Sequence, residues 1–121
     1  YRDKLPKFNN GKTDEQKGKM IFNWFEWKRD SSKEYAKIHP TQKPVSVLKK
    51  LIEIFTDEGD VVIDPVAGSG STLRACAECG RNAYGFEIKK DFYKHAKERM
   101  ISDDILNGIM EDGQVTLDAI I

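Results

Sequence analysis

The chain has 121 residues, of which 39% are hydrophobic and 33% charged, the composition of a soluble globular domain. No apolar run approaches the roughly 20 residues of a membrane-spanning helix, and no secretory pattern is present, so membrane and secreted classes are set aside and a cytoplasmic location is the default expectation. The formal net charge of zero hides an asymmetry: residues 1–50 carry 13 Lys+Arg against 6 Asp+Glu, a balance of +7, whereas residues 51–121 carry 7 against 14, a balance of −7.

In chain order, residues 1–19 are polar and lysine-rich without apolar periodicity and read as an arm or loop. Gly11-Lys12-Thr13 invites a phosphate-loop reading, which fails because Pro6 stands where the first glycine is required and no strand precedes it. Residues 20–37 follow as an aromatic strand and a basic connector. Alternation over Met20 to Trp27 places Phe22 and Trp24 on one side and Ile21, Phe25 and Trp27 on the other, predicting a core strand, with base stacking by a tryptophan as the sharper alternative. An α/β unit is predicted over residues 38–101. Pro44 suits the first turn of a helix on which Leu48, Leu51, Ile52 and Phe55 recur at helical spacing and should pack on a sheet. Val61-Val62-Ile63 predicts a central strand covered on both faces, and Ser71 to about Cys79 a helix stopped by Gly80. Asn82 to Glu87 predicts a second strand, and Asp91 to about Ile101 a further helix capped by Asp91, with Phe92, Ala96 and Arg99 or Met100 on one face. Residues 102–121 give mixed signals: Gln114-Val-Thr-Leu117 looks like a short strand with no assignable partner.

Chemistry concentrates where the first predicted strand meets its helix. Asp64-Pro-Val-Ala-Gly-Ser-Gly-Ser71 is an acid, a tight glycine turn and a helix start, the layout of a nucleoside-binding crevice at the carboxyl end of a strand in a doubly wound sheet. Leu73 replaces the third glycine of the dinucleotide fingerprint, and no Lys or Arg lies between Val61 and Leu73 to meet a pyrophosphate. An acid about 20 residues beyond such a turn sits where ribose hydroxyls donate to it, a place that Glu87 occupies. Asp64 and Glu87 together suit a ligand with ribose and positive charge; S-adenosylmethionine has ribose, a sulfonium and an ammonium. Either acid by itself equally fits a strand end or a helix cap. Cys76 and Cys79 fall within one predicted helix, no second cysteine pair exists, and His39 and His95 lie in other elements, so a packed helix face is expected and no metal. His39 is expected to hydrogen-bond locally in a turn.

His39-Pro-Thr-Gln-Lys-Pro44, Asp64 to Ser71, Gly80-Arg81 and Gly85-Phe-Glu87, in this order, resemble the cofactor half of the S-adenosylmethionine-dependent DNA amino-methyltransferases that modify adenine N6 or cytosine N4. The likeness runs from about Ile38 to Arg99. It implies part of a Rossmann-like doubly wound methyltransferase sheet with S-adenosyl-L-methionine as cofactor. By resemblance Thr41 and Lys43 lie near the carboxylate of its methionine portion, Asp64, Pro65, Ala67, Gly68, Ser69 and Gly70 cradle the methionine and ribose, and Glu87 takes the ribose hydroxyls. Val66 stands where the family usually has Phe, and Ser71 where it has Thr; neither change removes the pocket.

The family's catalytic element, an Asp, Asn or Ser followed by Pro-Pro and an aromatic residue that stacks on the flipped base, is not found, since the chain has no Pro-Pro pair. In one subclass the catalytic strand comes first and the cofactor half last. The chain, which begins at Tyr1 and is short for a sheet of about six or seven strands, then resembles the carboxyl-terminal half of such an enzyme. The partners implied are DNA and the missing amino-terminal catalytic half, and the isolated chain is expected to be inactive. Lys28, Arg29, Lys33 and Lys37, in the basic part of the chain, are candidates for phosphate contact, against the plainer reading of lysines solvated on loops. A stand-alone or degenerate S-adenosylmethionine-binding module without turnover is the alternative. An RNA or small-molecule methyltransferase sharing the crevice is disfavoured by the His39 to Pro44 motif.

Overall fold

A computed structural model describes residues 25–110 and 113–119. Along the chain lie α1 (Val45–Phe55), β1 (Val61–Asp64), α2 (Ser71–Glu78), β2 (Asn82–Glu87), α3 (Lys90–Arg99), α4 (Asp103–Asn107) and β3 (Val115–Ala119). The strands form a parallel sheet in the order β1-β2-β3, with Val61 opposite Asn82 and Ala83 opposite Val115. Parallel neighbours require crossover connections, supplied by α2 between β1 and β2 and by α3 and α4 between β2 and β3. The result is one portion of a Rossmann-like sheet, as expected.

Two glycines set how closely the layers approach. A Cβ at Gly85, in the middle of β2, would lie 2.7 Å from Leu73 Cδ1 and 3.0 Å from the Ala67 Cβ, so the absent side chain is what lets α2 and its preceding turn rest on the strand. Gly70, at φ 78°, precedes α2 in the left-handed region, and a Cβ there would meet that of Ala96 at 3.4 Å. Leu73, Cys76, Ala83, Ala96, Met100 and Leu117 form the buried centre between these layers.

Side-chain hydrogen bonds fasten α1 and α2. Asp30 accepts the Val45 N–H at 2.5 Å and the Ser46 hydroxyl at 3.2 Å, so the start of α1 is capped from fifteen residues upstream. At the other end of α1, Arg81 donates to the Thr56 carbonyl at 2.8 Å and to its hydroxyl at 3.0 Å. The Glu78 carboxylate receives Arg74 Nε at 2.7 Å, Lys49 Nζ at 2.9 Å and the Tyr35 hydroxyl at 3.0 Å, joining α1, α2 and the segment before them.

Several expectations need correction. Among the described residues β1 is not covered on both faces: it ends the strand order, Val61 and Ile63 are 57% and 65% exposed, and Val62 packs on the core. α1 rests chiefly on α2 instead of the sheet. Its buried stripe runs through Val45, Leu48 and Ile52, leaving Leu51 and Phe55 exposed, because Asp30 and α2 set the rotation of the helix. Asp91 does not cap α3; Lys89 holds that position without a side-chain bond, and Asp91 lies in the first turn, where a carboxylate complements the helix dipole. Of the expected strand from Met20 to Trp27, residues 20–24 and the preceding arm of residues 1–19 lie outside the described residues, and Phe25 to Trp27 form no regular element. The short strand expected at Gln114 exists as β3, and its partner is β2. Among the described residues, no helix is long and apolar enough to cross a membrane.

Candidate functional site

At the carboxyl ends of β1 and β2 lies a cleft of about 440 Å³, within the size range of small-molecule sites. Its walls come from the loop before α1, the turn between β1 and α2, and the stretch linking β2 to α3. Glu87, the last residue of β2, is only 8% exposed. One of its oxygens accepts the Gly68 N–H at 2.8 Å and the other the Lys89 N–H at 2.7 Å. With the Ala67 N–H donating to the Phe86 carbonyl at 2.9 Å, these bonds latch the glycine turn onto β2. Each carboxylate oxygen keeps a second lone pair for a donor on a ligand. Asp64, ending β1, accepts the Val66 N–H at 3.1 Å, the bond of an Asx turn that sends the chain sharply around the cleft.

The loop from Ile38 to Lys43 is held from within. Gln42 accepts the Ile38 N–H at 2.9 Å and donates to the Ala36 carbonyl at 2.9 Å. His39 Nδ1 accepts the Thr41 N–H at 3.2 Å and lies 3.0 Å from the Thr41 hydroxyl. The His39 ring packs against Phe92 of α3 with centroids 4.4 Å apart. His39 therefore bonds locally, as its turn position implied.

Of the residues singled out by resemblance, Thr41, Lys43, Asp64, Ala67, Gly68, Ser69 and Glu87 line this one cleft. Pro65 and Gly70 do not: Pro65 is exposed between two residues that do, and Gly70 is buried against Ala96 and Met100. Gln42, Thr72, Ile88, Lys89 and Phe92 also line it and were not anticipated there. Ile88 and Lys89 follow Glu87 directly and are in reach of the motif; Phe92, whose spacing marks a packing face, reaches the cleft through the start of α3. Two acids, Asp64 and Glu87, and two lysines, Lys43 and Lys89, make the walls suited to a zwitterion, where the turn alone had offered only acids.

Lys28, Arg29, Lys33 and Lys37 are all exposed, and none lines the cleft. Lys28 and Arg29 border a second groove of mixed charge, lined also by Lys49 and Lys50 and by the carboxylates Asp30, Glu34 and Glu53. Burial pushes the Cys76 thiol up to about 12 and the Cys79 thiol up to about 11, which disfavours the reactive thiolate. Among the described residues, no group of three or more His, Cys, Asp or Glu is arranged to hold a metal ion.

Type II methyltransferase M.HpaI of Haemophilus parainfluenzae is 40% identical to this chain over 67 residues, covering 55% of the chain and 21% of that protein. Type II methyltransferase M2.LlaDCHI of Lactococcus lactis subsp. cremoris is 34% identical over 96 residues, covering 79% and 34%. Among solved structures, the crystal structure of the M1.HpyAVI-SAM complex matches with a TM-score of 0.50 at 41% identity, over 52% of this chain and 32% of that one. The chain spans between 21% and 34% of the length of these relatives. The sequence pattern of the DNA methylases matches residues 1–98, most of the chain and all of the cleft, and this chain therefore belongs to the DNA methylase family.

Proposed function

We propose that this chain is the cofactor-binding portion of an amino-methylating DNA methyltransferase, which holds S-adenosyl-L-methionine in the cleft for methyl transfer to the exocyclic amine of adenine or cytosine. The observation that carries the reading is Glu87: a buried carboxylate at the end of β2, latched by two backbone N–H groups and bordering the cleft with lone pairs to spare. Ribose hydroxyls are the donors that match it. Asp64 offers a negative charge to the cationic portion of the ligand, and Lys43 a positive one to its carboxylate. The cofactor supplies the electrophilic methyl group; this chain's residues bind and orient it, and alignment of the S–CH3 bond with the amine lone pair is the catalytic contribution such a cleft makes.

The base-binding and amine-activating groups belong, in this reading, to a catalytic half outside the chain. Two observations support that division: the chain covers about a third or less of these relatives, and among the described residues β1 ends the strand order and presents Val61 and Ile63 outward, an edge and apolar face of the kind that another part of the sheet covers. DNA is the partner of the assembled enzyme, and this chain alone does not turn over.

Titration calorimetry with S-adenosyl-L-methionine tests the site. Glu87→Ala removes a charge-assisted acceptor and should cost about 1.5–3 kcal/mol of binding, roughly ten- to a hundredfold or more in Kd. Unchanged affinity in that variant would overturn the assignment of Glu87.

A further inference from the structure

We propose that Tyr35, which lies outside the cleft, is a positioning residue for it: its hydroxyl on Glu78 pins the loop before α1 to α2 and, through Gln42, sets the loop wall of the cleft. The effect on ligand binding rests on the reading of the cleft as an S-adenosyl-L-methionine site; the effect on the loop does not.

Residues 30–44 form no helix or strand, so side-chain bonds take the place of a backbone ladder in fixing them. The loop closes at its base, where Asp30 accepts from Val45 and Ser46 at the start of α1. This is the arrangement of an Ω-loop, with its ends together and its interior packed by its own side chains. Within it Tyr35, 8% exposed, donates to both Glu78 oxygens at 3.0 and 3.1 Å, and its ring lies 5.4 Å from the Arg74 guanidinium carbon. One residue on, the Ala36 carbonyl accepts Gln42 Nε2 at 2.9 Å, while Gln42 Oε1 accepts the Ile38 N–H at 2.9 Å. Gln42 lines the cleft between Thr41 and Lys43. A path of hydrogen bonds and short chain thus runs from α2 to the cleft wall through Glu78, Tyr35, Ala36 and Gln42.

The hydroxyl is not needed to satisfy its partner. Glu78 already receives Arg74 at 2.7 Å and Lys49 at 2.9 Å, so its charge is balanced without Tyr35. Nor is the hydroxyl needed for packing, since a phenyl ring would fill the same space beside Arg74 and the core. What the bond adds is a fixed position for the loop relative to α2.

The experiment compares the full chain with its Tyr35→Phe variant, which deletes the hydroxyl and keeps the ring. Amide hydrogen exchange is read at Ile38, Thr41 and Gln42, whose N–H groups bond within the loop, and at Ala83, whose N–H bonds across to the Gln114 carbonyl. An amide exchanges faster only if the opening that exposes it also breaks the deleted bond. A bond that merely stabilises the whole fold therefore speeds Ala83 and leaves the loop amides unchanged. A bond that pins the loop speeds the loop amides, here by about three- to tenfold. In a Gln42→Ala background, where the path is already cut, Tyr35→Phe should change Thr41 exchange by less than about twofold. Titration calorimetry with S-adenosyl-L-methionine, well below the melting temperature, should show Tyr35→Phe binding about two- to fivefold more weakly, less than the exchange factor because affinity follows the closed fraction of the loop. Loop amides unchanged in Tyr35→Phe would overturn the proposal, as would a full Tyr35→Phe effect persisting in Gln42→Ala. Faster loop exchange with unaltered affinity would leave Tyr35 pinning the loop and remove its role in the cleft. If the unaltered chain does not bind S-adenosyl-L-methionine, the cofactor reading falls, and exchange still decides whether Tyr35 holds the wall.

Discussion

Glu78→Ala should be one of the most destabilising single substitutions in this chain, and the reason lies in what the carboxylate holds. Glu78 is 13% exposed and accepts from Arg74, itself 15% exposed, and from Lys49, 34% exposed. Tyr35 donates to both of its oxygens, at 3.0 and 3.1 Å. Removing the carboxylate leaves two cations facing each other and a hydroxyl without this acceptor. Breaking a fully buried pair costs about 3–5 kcal/mol, and an unsatisfied buried donor about 1–3 kcal/mol. Water screens part of this at Lys49, so the expected loss is about 2–4 kcal/mol, a fall in melting temperature of roughly 8–16 °C for a chain of this size. Burial alone would raise the Glu78 carboxyl; the bonds from Lys49, Arg74 and Tyr35 outweigh it and hold the group below the usual glutamate range. A depressed folded value means that this stabilisation is present above the unfolded value of about 4.3 and is lost as pH falls through the folded one. Urea denaturation followed by circular dichroism at pH 7 and at pH 3 measures both effects. The gap between the unaltered chain and Glu78→Ala should be full at pH 7 and should narrow at pH 3. A loss at pH 7 below about 0.5 kcal/mol, the level of an ordinary surface substitution, would refute the reasoning.

Gly85→Ala places a methyl 2.7 Å from Leu73 Cδ1, and Leu73 is fully buried with little room to yield, so overpacking of about 1–3 kcal/mol is expected. A urea midpoint equal to that of the unaltered chain would show that the layers adjust freely. Asp30→Ala removes the distant cap of α1 and should cost about 0.5–2 kcal/mol, with Asp30→Asn retaining most of it. Thermal melting that does not distinguish the Ala variant from the unaltered chain would mean that the segment before α1 contributes nothing to the helix start.

The run from Val61 to Glu87 was legible in the sequence because its signals are local: a β-branched run, an acid, glycines at a turn, helical periodicity, a glycine stop and a second strand each depend on neighbours a few residues away. Asp64, Ala67, Gly68 and Ser69 line the cleft together for the same reason, since a strand-turn-helix unit positions its own turn, whereas Thr41 and Lys43 reach it from a loop more than twenty residues upstream and were named through the family resemblance. Where the sequence misled, the deciding contact was distant. Leu51 and Phe55 fit a helical stripe as well as Val45 does, and only α2 and Asp30 settle which face of α1 is buried. Gly70 belongs to the glycine pattern of the turn, yet Ala96 and Met100 across the fold claim the space beside it. β1 has the composition of a strand covered on both faces, while its exposure depends on which chain segments lie beside it. Phe92 in the cleft, the partner of β3 and the meeting of Tyr35, Lys49 and Arg74 on Glu78 join residues far apart in the chain. Local propensity and periodicity carry no information about such pairs; they are decided only when the layers pack and buried polar groups take the partners within reach.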